Sequence, residues 1–104
     1  MRVLVVLSTT PDKKSARKIA RVLIQRKLAA CVSFAPGLES LYRWKGKIES
    51  TPEVLLIAKT SRAKLKALQK MILQIHPYKV PEILYLPAAA GSAVYLDWMK
   101  RVLK

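Results

Sequence analysis

His76 and Cys31 are the only histidine and cysteine in the sequence, and six carboxylates accompany them: Asp12, Glu39, Glu49, Glu53, Glu82 and Asp97. Imidazole, thiolate and carboxylate are the donors from which copper and similar divalent ions draw their ligands, several at a time and within a few ångströms. His76 stands before Pro77 at the end of an expected helix, near the surface, where it also reads as a helix-terminal residue favoured by the dipole. Cys31 lies in an apolar run between Ala30 and Val32, where a free thiol ordinarily behaves as a small hydrophobe. Both are candidate metal ligands. A lone cysteine excludes an intrachain disulfide and a thiolate cluster.

Catalytic patterns are missing. The sequence has no Ser/His/Asp arrangement, no glycine-rich phosphate loop and no paired-carboxylate motif, so it does not read as an enzyme. Glu53 and Glu82 read instead as ion-pair partners for Lys47, Lys59 or Lys79. Tyr42, Trp44, Tyr78, Tyr85, Tyr95 and Trp98 stand among basic residues, as base-stacking platforms do. Packing between chains explains large aromatics with polar tips better.

The elements that must position these groups belong to one domain over residues 1–104. Half of the residues are hydrophobic and a quarter charged, enough apolar surface for a core. No apolar run reaches the roughly 20 residues of a membrane span. Residues 3–7 are too short for a signal-peptide core, so a cytoplasmic protein without a membrane partner is expected. The outlying quantity is a formal net charge of +14. It reads as a solubilising basic coat of the kind found in thermophiles, a reading that fits the absence of asparagine. A non-specific affinity for polyanions would accompany such a coat, whereas no specific nucleic-acid partner is expected.

A Val/Leu run over residues 2–8 reads as a buried strand. Thr10-Pro11-Asp12 opens a helix over 11–27, with Thr10 as cap and Ala16, Ile19, Ala20, Leu23 and Ile24 as its buried stripe. A strand over 28–35 is interrupted at Pro36-Gly37 and resumes over 38–44. Lys45-Gly46 turns the chain back, and residues 53–59 form the next strand. Thr60-Ser61 caps a second helix that carries Leu65, Leu68, Ile72 and Ile75. Residues 81–86 give a fourth strand, and Gly91-Ser92 precedes a last helix bearing Val94, Tyr95, Trp98, Val102 and Leu103. The order is βαββαβ plus a helix, the α+β ferredoxin-like arrangement of an antiparallel sheet with helices on one face.

The central hairpin is disproportionate. At about 3.3 Å per residue each arm spans roughly 40–50 Å, and a two-stranded ribbon bearing Tyr42 and Trp44 is marginal alone in water. A second copy of the chain is the expected support.

Six segments together are similar to the CutA family. They are Thr9-Thr10-Pro11-Asp12, Leu28-Ala29-Ala30-Cys31-Val32, Pro36-Gly37 with Ser40-Leu41-Tyr42, Trp44-Lys45-Gly46-Lys47-Ile48-Glu49, His76-Pro77-Tyr78-Lys79-Val80-Pro81-Glu82-Ile83, and Gly91-Ser92 with Tyr95-Leu96-Asp97-Trp98. The resemblance implies a ferredoxin-like homotrimer in which strands of neighbouring subunits extend each other's sheets, with Tyr42, Trp44 and Trp98 at the interface. It implies a part in tolerance to divalent ions, copper above all, and no other cofactor. Metal-binding relatives can carry a cysteine where this sequence has Ser8 and a second histidine where it has Ile75. The family's architecture is similar to that of PII signalling proteins. By that analogy Lys59 is a candidate anion-binding residue in a cleft between subunits, for a phosphorylated small molecule. A very stable structural trimer is the remaining alternative.

Overall fold

The computed structural model describes residues 1–104. Its elements are β1 (Val3–Thr10), α1 (Lys13–Gln25), β2 (Cys31–Trp44), β3 (Lys47–Ser61), a 3-10 turn (Arg62–Lys64), α2 (Leu65–Ile75), β4 (Leu84–Pro87) and α3 (Ala93–Val102). They form one four-stranded antiparallel sheet in the order β2-β3-β1-β4. This is the expected ferredoxin-like architecture, with the extra C-terminal helix.

Side chains alternate across a strand, and that alternation divides the sheet. Val6 on β1 and Val54, Leu56 and Ala58 on β3 pack against Ala16, Ile19, Ala20 and Leu23 of α1 and Leu68 and Ile72 of α2. Full burial of each Leu or Ile there contributes about 1.5–3 kcal/mol. On the opposite face α3 covers only one end, burying Met99 and Leu103 against Ala30 and Val3. Val5, Leu7, Leu55 and Ile57 remain half-buried on that face. Leu86 and Leu84, paired with Val5 and Leu7, are exposed.

Several local expectations give way to specific contacts. Asp12, not Thr10, caps α1: its Oδ1 accepts from the Ser15 N–H at 2.7 Å, while the Thr10 hydroxyl donates to the Asp12 carbonyl at 2.9 Å. That Ser15 backbone bond is the main reason the Asp12 carboxyl is held below the ordinary aspartate range. Thr60 is no cap either; its hydroxyl is buried and donates to the Leu28 carbonyl at 2.6 Å. Leu28–Ala30 lie before the strand rather than in it, because Lys27 at φ 56° ends the helix and the Leu28 and Ala29 N–H groups return to the Leu23 carbonyl. Ile24 is exposed. Leu96, Trp98 and Met99 of α3, and Leu103 just after it, pack inward, whereas Val94 and Val102 face outward.

The hairpin is continuous. β2 and β3 have 14 and 15 residues, paired from Cys31↔Lys59 to Trp44↔Lys47 with one register shift between Ala35 and Leu38. Gly37, at φ 95°, supplies the torsion that this bulge requires. Lys45 and Gly46 both have positive φ, the signature of a two-residue type I′ turn that matches strand twist. β1 pairs with β3 only from Val54 onward. Everything in the hairpin beyond that point overhangs the sheet, and the molecule measures 45 × 26 × 23 Å. Pro52 is tolerated within β3 because one side of the strand is open there.

Candidate functional site

The polar groups of the chain converge where the ribbon leaves the sheet. β4 pairs with β1 only over Leu4–Leu7, so the last residues of β1 lie past the end of β4. His76, immediately after α2, reaches that segment: its Nε2 lies 2.8 Å from the Thr9 carbonyl oxygen. Its Nδ1 accepts from the Tyr78 N–H at 3.0 Å. A carbonyl can only accept and an N–H only donate, so Nε2 carries the proton and Nδ1 is bare. His76 is 8% exposed. It is therefore a buried tie between α2 and β1, not the surface residue its place before Pro77 suggests.

Tyr78 continues the chain of contacts. Its ring centroid is 5.0 Å from that of His76, tilted by 44°, and its hydroxyl donates to Glu53 Oε2 at 2.8 Å. Burial first, and then this bond to the carboxylate, push the Tyr78 phenol well above the ordinary tyrosine range. Glu53 is thus engaged by a phenol rather than by Lys47 or Lys59. On the adjoining ribbon, the Tyr42 and Thr51 hydroxyls are 2.8 Å apart. Ser8, on the face of β1 that carries Val6, is 2% exposed, and its hydroxyl has no hydrogen-bond partner.

The other expected site residues lie apart from this cluster. Cys31 begins β2, half-buried, with its sulfur 4.0 Å from the Ser33 hydroxyl. Lys59 is directly across from Cys31, and its Nζ stands 5.8 Å from the centroid of the Tyr95 ring, a cation–π contact. Trp98 is half-buried against the cluster of Met99 and Leu103 and stacks on Tyr95 at 5.5 Å. Tyr42 and Trp44 are exposed on one face of the ribbon; Leu41 and Ile48, 69% and 70% exposed, occupy the other. Sequence reading missed this second apolar face, although alternation from Tyr42 and Trp44 marks it.

Residues 4–102 match the family model described as CutA1 divalent ion tolerance protein. The chain belongs to the CutA family. It is 46% identical to the divalent-cation tolerance protein CutA of Thermus thermophilus, over 92% of this chain and 93% of that one. It is 43% identical to human Protein CutA over 90% of this chain but 52% of the relative, so it spans about half the length of that protein. The crystal structure of CutA from Xylella fastidiosa superposes with a TM-score of 0.96 at 41% identity, covering 98% of each chain. Compartment varies in the names of similar proteins: a relative from Arabidopsis thaliana is called chloroplastic, and one from Archaeoglobus fulgidus periplasmic. No helix of this chain is long and apolar enough to cross a membrane.

The family's description directs attention to cation donors, and within one chain they do not fit a copper site. Both His76 nitrogens are committed to the backbone. No three of the His, Cys, Asp and Glu side chains converge. Ser8 offers only a hydroxyl, and Ile75 offers no donor. Copper binding with N and S ligands requires more than this chain alone assembles.

Proposed function

We propose that this CutA-family chain serves divalent-cation tolerance, copper included, as a homotrimer whose cation donors come from more than one chain. The overhanging ribbon carries this reading. It presents Tyr42 and Trp44 on one face and Leu41 and Ile48 on the other, and nothing in its own chain covers either. Large exposed apolar surfaces mark interaction sites, and the half-covered face of Val5, Leu7, Leu55, Ile57, Leu84 and Leu86 adds a second one. A neighbouring chain laid along both would bring together carboxylates that one chain keeps apart.

Thermal unfolding with and without copper or zinc tests the proposal, since a ligand of the native state raises the midpoint. The ion should raise the midpoint of the wild-type assembly and leave a Tyr42→Ser/Trp44→Ser variant unmoved. An equal rise in both, or none in the wild type, would count against donors shared between chains.

A further inference from the structure

At the end of the sheet opposite the ribbon lies a cavity of about 400 Å³. That volume is within the range of small-molecule sites, which are concave, mainly apolar and furnished with a few polar groups. It is lined by Met1, Val3 and Leu4 where β1 begins, by Leu96 of α3, and by Pro87 at the end of β4 with Ala88–Ala90 after it. Arg2 and Arg62 are its charged side chains, Met1 lines it beside them, and no acidic side chain does.

The frame is fastened on both sides. The Arg62 N–H donates to the Arg2 carbonyl at 2.9 Å, and the Ala88 N–H to the Val3 carbonyl at 3.0 Å. Gly91 brings the loop close to Leu96: a Cβ there would meet Leu96 Cδ2 at 3.2 Å. The three alanines at 88–90 keep the wall thin, so the space is not filled by the chain's own side chains. Guanidinium groups pair with carboxylate or phosphate in a planar, two-pronged geometry, and most of the other lining residues are apolar.

We propose that this cavity binds small organic oxyanions, with a carboxylate or phosphate head on Arg2 and Arg62 and a short aliphatic body against Val3, Leu4 and Leu96. The site is separate from the ribbon and from the His76 cluster, and it requires neither metal nor assembly. Its selectivity rests on two parts together. A bare inorganic ion lacks the apolar contact, and a neutral alcohol lacks the charge.

The test is a nuclear magnetic resonance titration of the assembled protein with butanoate, butyl phosphate, butanol and inorganic phosphate. Butanoate, butyl phosphate or both should saturably shift the amides of Leu4, Ala89 and Leu96 with a Kd of about a millimolar; which of them does so identifies the head group. Butanol and inorganic phosphate should bind at least about tenfold more weakly, and Arg2→Gln/Arg62→Gln should weaken the organic anions by about tenfold. Ala89→Leu, which adds volume without removing charge, should abolish the local shifts. Three results would overturn the site: no saturable shift at these amides, unchanged affinity in either variant, or shifts spread along the basic faces of α1 and α2.

Discussion

Tyr78 donates its hydroxyl hydrogen to Glu53 at 2.8 Å, joining the loop after α2 to the first stretch of β3 beyond the sheet. The bond favours the neutral phenol, as does burial, and both raise its pKa. Tyr85 is raised as well, by burial. A group whose folded pKa lies above its unfolded value of 10.0 contributes stability that is whole below pH 10. That contribution is lost as pH climbs through the unfolded value towards the folded one. Chemical denaturation across pH 8 to 12 should therefore show a fall beginning near pH 10, smaller in Tyr78→Phe. An equally steep fall in that variant would deny Tyr78 the role.

Ser8 is a buried hydroxyl with nothing to bond. Desolvating such a group without compensation costs on the order of 1–3 kcal/mol. Ser8→Ala should leave the protein as stable as wild type or raise its stability by up to about 1 kcal/mol, measured in urea at fixed protein concentration. A loss of more than about 1 kcal/mol would show that the hydroxyl has a partner in solution.

His76 offers the reverse case. Truncation leaves the Thr9 carbonyl and the Tyr78 N–H without their partners, at a cost of about 2 kcal/mol. His76→Ala should lower stability by that amount in the absence of any metal. A variant as stable as wild type would remove His76 from the structural role given to it here.

The element order was legible because each element announces itself locally. The Val/Leu run of β1, the three- and four-residue spacing in α1 and the Lys45-Gly46 turn all depend on near neighbours. What escaped depends on distant ones. His76 precedes a proline at a helix end and so reads as exposed, but it is buried and its Nε2 is bonded to the Thr9 carbonyl, 67 residues earlier in the chain. Thr60 has the chemistry of a cap, yet the Leu28 carbonyl, 32 residues away, claims its hydroxyl. In the last helix Val102 and Met99 are both apolar, and only the packing against Ala30 and Val3 distinguishes the exposed one from the buried one. The Glu53–Tyr78 bond joins the ribbon to the loop after α2 and has no signature in either segment alone.

The ribbon remains the feature on which the functional reading depends. Native mass spectrometry of the wild-type chain and of Tyr42→Ser/Trp44→Ser, at about micromolar concentration, tests it most directly. The predicted result is three chain masses for the wild type and one for the variant. A wild-type protein found as a single chain at that concentration would contradict the account.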